Sequence, residues 1–397
     1  MTAPTHTSGH LMPTYRPAPV RFVAGAGCRL TDDAGRQYLD FLSGLAVTSL
    51  GHAHPAVAEA LCAQAHTLLH VSNLFSNELA DGVAATLDTL IGDGTPAGGQ
   101  VFFANSGAEA NECAIKLARR FGGHGRHVVL SAYGSFHGRT LATLHATGQP
   151  EKHEAFQPLP EGFAHVAYGD LEEIARAADP TRVAAILVEP IQGEAGVVVP
   201  PPGYLAGLRS LCDERGILLM LDEVQTGLAR TGRWFGFQHE GIVPDVVTMA
   251  KALGNGVPIG ACWARAEVAA AFSPGDHATT FGGQPLALSA ARATLATMAE
   301  IDAPARATER GEELARQLAA LDGVAAVRGA GLLRAAVLAD GHDAPAIARA
   351  ALAAGLVVNA PAANVLRLAP PLIVTAEECA EAVGILSAVL ADTGAAA

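Results

Sequence analysis

Short apolar runs that alternate with helical patterns between residues 100 and 262 limit most strongly what this chain can fold into. Residues 204–215 place Leu205, Leu208 and Cys212 on one helical face, and Gly216 follows as the expected end of that helix. Such alternation is typical of a parallel sheet with crossover helices. The runs predicted as strands are 101–104, 127–130, 184–188, 217–221 and 246–249.

The chain on either side of this region has a different pattern. Residues 303–321 predict a long helix, and strand-like segments follow near 324–338 and 356–359. Residues 35–41 form a turn that enters an alternating strand, and we expect the N-terminal part of the chain to join the second domain. The expected division is a large domain with a mostly parallel sheet (56–285) and a smaller α+β domain formed by both termini (1–55 and 286–397).

Composition argues against several classes of protein. The net charge is −13 without a basic cluster, which gives no footprint for nucleic acid. No apolar run approaches the ~20 residues of a membrane helix, and the N-terminal region lacks the apolar segment of a secretory signal. The six cysteines include no C-x-x-C pair, and no metal-site spacing is found. We therefore expect a cytoplasmic protein without a metal.

Three chemically reactive side chains follow predicted strands. Glu189, Asp222 and Lys251 come after the third, fourth and fifth runs. Ligands of open parallel sheets bind beyond the carboxyl ends of the strands, so we expect these side chains at one edge. A buried Asp222 carboxylate can stay ionised opposite a cation such as a pyridinium N–H, although an aspartate at a strand end is also a common loop cap.

Lys251 is one of only three lysines. A Schiff base requires a primary amine, which arginine cannot supply. Lys116 lies inside an amphipathic helical pattern and Lys152 in a polar loop, whereas Lys251 lies between a strand and a glycine-rich turn. Lys251 is therefore the candidate for any Schiff base that the chain forms.

A helix start that can hold an anion is predicted at residues 105–112. Ser106 and Glu109 have capping-box spacing, and Gly107 and Ala108 leave the first backbone N–H groups open to a phosphate. An ordinary helix cap explains the same residues. The face of this helix expected to be buried consists of Ala114, Leu117, Ala118 and Phe121.

Together these segments resemble the class III (ornithine-type) aminotransferases, from about residue 15 to 385. Within that family the likeness is greatest to members that act on N-acetylornithine. The resemblance implies fold type I of the pyridoxal-phosphate enzymes and hence a pyridoxal 5'-phosphate cofactor. The motifs that carry it are FANSGAEA at 103–110, SFHGRT at 135–140, VEPIQGE at 188–194, LDEVQTG at 221–227 and TTFGG at 279–283.

The resemblance also implies roles for individual residues. Phe136 would stack on the pyridine ring, Asp222 would contact its nitrogen, and Gln225 would contact its phenolic oxygen. Thr280 would reach the phosphate of the neighbouring subunit, which makes the expected active unit a homodimer. The complete set expected to bind the cofactor is Ser106, Gly107, Ala108, Phe136, Asp222, Glu223, Val224, Gln225, Lys251 and Thr280.

Two arginines are implied to hold substrate carboxylates, for which the guanidinium fork is suited. Arg139 would take the α-carboxylate, and Arg367 would take the second carboxylate of glutamate, with Glu189 masking Arg367 when that carboxylate is absent. Thr279, where the family often has serine, is placed near the amine donor. In the implied ping-pong reaction, Lys251 moves the proton as base and acid.

The implied reaction transfers the δ-amino group of N2-acetyl-L-ornithine to 2-oxoglutarate, as in arginine biosynthesis. It yields N-acetyl-L-glutamate 5-semialdehyde and L-glutamate. Other donors stay open, namely ornithine, succinylornithine and 4-aminobutyrate. A pyridoxal-phosphate mutase or decarboxylase has no use for paired carboxylate-binding arginines. A noncatalytic binding protein with this fold would have been free to lose Lys251.

Overall fold

Three antiparallel strands begin the part of the chain that the computed structural model describes, residues 10–394. They are β1 (Phe22–Ala26), β2 (Arg29–Asp32) and β3 (Gln37–Asp40), and the short, irregular α1 (Ser43–Ala46) follows. Asp40 is buried and accepts hydrogen bonds from the backbone N–H groups of Leu42 and Ser43. This contact fixes the turn by which the chain leaves the first sheet.

A seven-stranded sheet forms the centre of the molecule. Its spatial order is β4-β10-β9-β8-β7-β5-β6, in which β5 to β9 are parallel and β10 is antiparallel to both of its neighbours. The prediction of a mostly parallel sheet is confirmed, but β4 joins it only through the antiparallel β10. The strands are β4 (Gly99–Ala104), β5 (Val128–Ala132), β6 (Phe163–Val166), β7 (Val183–Val188), β8 (Leu218–Asp222), β9 (Val246–Met249) and β10 (Gly260–Arg265).

Helices cover both faces of this sheet. No helix within residues 10–394 is long and apolar enough to cross a membrane. Short 3₁₀ turns occupy Pro150–Lys152, Glu154–Phe156, Gly236–Glu240 and Lys251–Gly254. The α-helices of this region are α2 (Pro55–Thr67), α3 (Glu78–Ile91), α4 (Gly107–Gly122), α5 (Leu141–Ala146), α6 (Leu171–Ala177), α7 (Tyr204–Arg215), α8 (Ala266–Ala269) and α9 (Pro285–Glu300).

The strand β8 shows how the sheet divides its side chains. Leu219 and Leu221 belong to the apolar cluster on one face, whereas Leu218 and Met220 belong to the cluster that includes the buried side of α4. Successive side chains of a strand point to opposite faces. Asp222 therefore continues the row of Leu218 and Met220, which directs its carboxylate toward α4.

The buried side of α4 agrees with prediction except in its last turn. Ala114, Leu117 and Ala118 are buried, but Phe121 is 40% exposed. Arg120 is exposed as well, so neighbouring elements no longer cover the last turn of α4. The expectation that Phe121 is buried is therefore wrong, because helical periodicity does not tell where the neighbouring layer ends.

The C-terminal region supplies a second antiparallel sheet and extends the first one. Leu356 in β13 (Leu356–Val357) pairs in parallel with Leu39 of β3, which joins the two ends of the chain. On this pairing we propose the division into residues 56–285 and a smaller domain of 1–55 with 286–397. The remaining elements are α10 (Ala303–Ala319), β11 (Val324–Ala330), β12 (Leu333–Leu338), α11 (Ala344–Ala353), β14 (Asn359–Ala362), β15 (Val365–Leu368) and α12 (Ala376–Gly394).

Two helical glycines give a matched test of this packing. A Cβ on Gly311 of α10 would lie 1.9 Å from the carbonyl oxygen of Gly331, whereas a Cβ on Gly384 of α12 meets nothing within 4 Å. We expect Gly311→Ala to lower the free energy of unfolding by about 1–3 kcal/mol through overpacking. Gly384→Ala should raise it by about 0.5–1 kcal/mol through helix propensity. Equilibrium urea unfolding measures both, and equal stability of the two variants would contradict the packing of α10.

Candidate active site

The carboxyl ends of the parallel strands open into a cavity of about 400 Å³. Glu189, Asp222 and Lys251 all line it, as their positions at the carboxyl ends of β7, β8 and β9 predict. The other predicted site residues that line the cavity are Ser106, Gly107, Ala108, Phe136, Arg139, Val224 and Gln225. The tertiary structure thus brings most of the predicted set to one place.

Asp222 is held in the floor of this cavity by three hydrogen bonds. Its Oδ2 accepts from Asn111 Nδ2 at 2.8 Å and is 2.8 Å from His137 Nδ1, while Oδ1 accepts from the backbone N–H of Val224 at 3.0 Å. The side chain is only 3% exposed. These hydrogen bonds fix the position and orientation of the Asp222 side chain in the cavity floor.

Asn111 and His137 were not predicted as site residues. Asn111 lies one helical turn after Gly107 in α4, and its Oδ1 accepts from Thr248 Oγ1 at 2.7 Å. The buried Nε2 of His137 has no partner within the described residues, whereas its Nδ1 bonds Asp222. The i, i+4 spacing from Gly107 was the available signal for Asn111. The signal available for His137 was its position within the SFHGRT motif, between Phe136 and Arg139.

Lys251 begins a 3₁₀ turn with a left-handed backbone, at φ 42°. This conformation is costly for a residue other than glycine and persists only when the surroundings enforce it. Burial lowers the pKa of the Lys251 ammonium, and the carboxylates of Glu194 and Asp222 oppose that shift only in part. A lowered pKa increases the fraction of free amine, which is the nucleophilic form.

The other two lysines lie elsewhere. Lys116 Nζ donates to the carbonyl oxygen of Asp276 at 2.7 Å, on the outer side of α4. Lys152 Nζ donates to Gln149 Oε1 and lies 5.7 Å from the centroid of the Phe136 ring. Lys251 is thus the lysine that lines the cavity together with Asp222, whereas Lys152 approaches it only through Phe136.

The start of α4 forms a cradle for an anion. Ser106 is the N-cap, and its hydroxyl accepts from the backbone N–H of Glu109 at 3.2 Å. Glu109 does not complete a capping box, because its carboxylate bonds Asn105 instead. The N–H groups of Gly107 and Ala108 belong to the first turn, which lacks intrahelical acceptors. A Cβ on Gly107 would lie 2.9 Å from the methyl groups of Val224, so only glycine fits there.

Arg367 is buried, and the structure corrects the identity of its acidic partner. Its Nη1 donates to Glu194 Oε1 at 2.6 Å and to Gln225 Oε1 at 3.3 Å, and its Nε donates to Asn359 Oδ1 at 3.1 Å. The Nη2 atom has no partner within the described residues. Burial acts to raise the pKa of Glu194, but the Arg367 guanidinium outweighs it and lowers the pKa.

The expectation that Glu189 masks Arg367 is therefore wrong, because Glu194 occupies that position. Glu189 Oε2 instead accepts the backbone N–H of Phe136 at 3.2 Å, and burial followed by the charge of Asp222 raises the pKa of Glu189. Glu189 directly follows β7 and lines the cavity. Glu194 lies in the turn beyond it, close to Arg367 of β15. Sequence order alone does not distinguish which of two nearby glutamates meets a distant arginine.

Glu223 also differs from its predicted role. It does not line the cavity; its Oε1 accepts the backbone N–H of Phe237 at 3.0 Å, and its Oε2 accepts from the hydroxyl of Thr226. The reason is strand alternation: Asp222 faces the cavity, so the next side chain points to the other side. Burial raises the pKa of Glu223 to about 7.

Thr279 and Thr280 lie outside the cavity of this single chain. Thr279 Oγ1 accepts from the backbone N–H of Gly282 at 3.1 Å and from Asn105 Nδ2 at 3.3 Å, which places it behind the α4 cradle. Thr280 is exposed beside a second depression that also contains Asn73 and Leu74. The structure therefore does not bring Thr280 to the cradle of its own chain.

Comparison with known proteins identifies the family. The family model for aminotransferase class-III matches residues 12–390. The acetylornithine aminotransferase of Corynebacterium efficiens is 50% identical and is matched over 97% of this chain and 96% of its own length. The chain is a class III aminotransferase.

Solved structures of an ornithine aminotransferase and an N-acetylornithine aminotransferase agree with this chain in fold. The ornithine aminotransferase of Toxoplasma gondii, crystallised with partial occupancy of PLP at its active site, has a TM-score of 0.91 and 33% identity, covering 97% of this chain and 93% of that one. The N-acetylornithine aminotransferase of Stenotrophomonas maltophilia has a TM-score of 0.83 and 35% identity, covering 96% and 98%. Membership of this family implies a pyridoxal-phosphate cofactor.

A pH-dependent stability effect follows from the burial of Glu223. A carboxyl whose folded pKa of about 7 exceeds its ordinary value of 4.5 stabilises the fold below pH 4.5. That stabilisation is lost as the pH rises through 7, because the folded state must then hold a buried charge. We expect Glu223→Gln to gain stability relative to the wild type between these limits, on the order of 1–3 kcal/mol.

Urea unfolding of both proteins at several pH values measures this difference. Glu223→Gln should also keep its affinity for pyridoxal phosphate, because the side chain points away from the cavity. A stability difference that does not change with pH would contradict the raised pKa. Loss of cofactor affinity would instead restore the original expectation that Glu223 contacts the cofactor.

Proposed function

We propose that this chain is an acetylornithine:2-oxoglutarate aminotransferase that carries pyridoxal 5'-phosphate on Lys251. The observation that carries the proposal is the convergence of an amine with a lowered pKa, a hydrogen-bonded buried carboxylate and an open helix start in one cavity. These three features match the aldehyde, the pyridine nitrogen and the phosphate of the cofactor.

The residues fit that cofactor on physical grounds. Gly107 and Ala108 would hold the phosphate, since their N–H groups lie at the positive end of the α4 dipole. Asp222 would keep the pyridine nitrogen protonated, and the bound cofactor then acts as an electron sink. Phe136 and Val224 would provide apolar contacts to the ring, because both line the cavity.

Different residues would transfer the proton and position the groups around it. Lys251 would hold the cofactor between turnovers and, once released, would take the proton from the substrate carbon bearing the amine and return it as an acid. Asn111 and His137 keep Asp222 in place during both steps. Glu189, whose pKa is raised by burial and then by the charge of Asp222, accepts the backbone N–H of Phe136 at the cavity floor.

Arg139 and Arg367 would bind substrate carboxylates. Arg367 is already paired with Glu194, so a carboxylate that reaches Arg367 must displace Glu194. An ω-amine donor that brings no carboxylate to that position leaves the pair intact. One cavity would in this way accept both N-acetylornithine and 2-oxoglutarate. Gln225 also contacts the Arg367 guanidinium and would meet the phenolic oxygen of the cofactor.

The choice of donor rests on the relatives. Proteins named acetylornithine aminotransferase match nearly the whole chain at 46–50% identity. Ornithine is the alternative that the Toxoplasma structure favours, at 33% identity. Because the higher identity belongs to the acetylornithine enzymes, we place the reaction in arginine biosynthesis and the protein in the cytoplasm.

A homodimer would complete the site. The depression beside Thr280 adjoins the exposed side chains of Leu74, Phe75 and Phe281, which are 86%, 68% and 68% exposed. Exposed apolar patches of this kind mark protein interfaces. In a dimer, Thr280 would reach the phosphate cradle of the partner subunit. A protomer mass in sedimentation measurements of the loaded protein would refute this assembly.

The decisive experiment is a single-turnover absorbance measurement on the protein loaded with pyridoxal phosphate. N-acetylornithine alone should convert the bound cofactor to pyridoxamine phosphate, and 2-oxoglutarate should reverse the change. Lys251→Ala should retain cofactor noncovalently but lose this conversion by several orders of magnitude, because the proton carrier is gone. The matched control is Lys116→Ala, which should convert normally.

The outcomes separate the chemistry from the choice of donor. Conversion by ornithine but not by N-acetylornithine would retain the transamination and refute the donor. Normal conversion by Lys251→Ala would refute the central role of that lysine. In the same assay, Arg367→Ala should accept the amine from N-acetylornithine but respond weakly to 2-oxoglutarate, and equal damage to both half-reactions would contradict the role of Arg367.

A further inference from the structure

Two cations lie within 6 Å of the centroid of one aromatic ring, that of Phe136, which lines the cavity. Arg139 Cζ lies 5.6 Å and Lys152 Nζ lies 5.7 Å from the centroid of the Phe136 ring. Within residues 10–394 neither cation forms an ion pair, and the hydrogen-bond partner of Lys152 is the neutral side-chain amide of Gln149. By contrast, the buried Arg367, which does not line the cavity, is already paired with Glu194.

The loop that carries Lys152 is fixed to the segment that carries Phe136. The backbone N–H of Gly148 donates to Ser135 Oγ at 2.9 Å, and Gln149 Nε2 donates to the Ser135 carbonyl at 2.9 Å. His153, directly after Lys152, is buried, and its Nε2 lies 2.7 Å from the carbonyl oxygen of Thr147. The position of Lys152 is thus set by the fold, which a freely solvated loop lysine would not require.

Arg139 and Lys152 act on each other electrostatically. Burial, and then the positive charge of Arg139, lower the pKa of Lys152, while Glu151 and Glu194 oppose the shift. Two unpaired cations near each other are electrostatically unfavourable until an anion lies between them. A carboxylate has two oxygens, so it can accept hydrogen bonds from a guanidinium and an ammonium at once.

We infer that Lys152 and Arg139 form a two-cation clamp for the α-carboxylate of the amine donor, with Lys152 as a specificity-determining residue. This inference rests on the proposed function for the identity of the donor. The clamp holds N-acetylornithine by its carboxylate beside Phe136, so that its δ-amine reaches toward Lys251. A donor without that carboxylate gains nothing from Lys152.

The test compares donors that differ only in this carboxylate. N-acetyl-1,4-diaminobutane is N-acetylornithine without its carboxylate. We expect Lys152→Met to raise KM for N-acetylornithine about tenfold or more, with a smaller change in kcat, because a charge-assisted hydrogen bond is lost. KM for N-acetyl-1,4-diaminobutane should stay at its wild-type value. Lys152→Arg, which keeps the charge, should recover most of the loss.

A binding measurement makes the result independent of turnover. N-acetyl-L-norvaline has the carboxylate and the acetamide of N-acetylornithine but no reactive amine. In calorimetric titration of the loaded dimer, Lys152→Met should weaken its binding about tenfold or more, and Lys116→Met should leave binding unchanged.

Each contrary outcome has a distinct meaning. Equal effects of Lys152→Met on both donors would show a general disturbance of the loop and overturn the clamp. Unchanged KM and unchanged N-acetyl-L-norvaline affinity would overturn it as well. Failure of the wild-type protein to use N-acetylornithine would instead refute the proposed donor, and the clamp for its carboxylate would fall with that donor.

Discussion

A buried carboxylate needs compensating partners, and the candidate active site depends on how the fold supplies them to Asp222. The strand β8 places Asp222 on the side of the sheet covered by α4, and α4 supplies Asn111 from the turn after its first residue. The segment after β5 supplies His137. The same elements thus support the carboxylate and shape the cavity, so the site and the core cannot be varied independently.

The second constraint is the balance of charge within the cavity. Glu194 pairs with Arg367, whereas Glu189 accepts the backbone N–H of Phe136 and has a raised pKa because of burial and the charge of Asp222. Among the residues that the structure describes, Arg139 and Lys152 have no acidic partner beside Phe136, and burial lowers the pKa of Lys251 in the cavity. A molecule with an amine at one end and a carboxylate at the other suits this distribution.

Two glycines allow close contacts that keep the segment after β8 in position. Glycine at 107 leaves room for Val224, and a Cβ on Gly193 would lie 1.7 Å from Gln225 Oε1. Larger residues at either position would move the segment after β8, which carries both Val224 and Gln225. Preorganisation of this kind supports precise placement of reacting groups, since small displacements of such groups reduce rates strongly.

The sequence by itself determined the parallel strands, the reactive residues after them and the identity of the candidate lysine, because these depend on local periodicity and on the scarcity of lysine. Only the tertiary structure decided that Glu194 meets Arg367, that Glu223 turns away, and that Lys152 reaches Phe136. It also decided that β4 joins the sheet through an antiparallel neighbour. Local patterns specify which elements form, whereas contacts between residues far apart in the chain depend on how those elements pack, and one sequence does not display that packing.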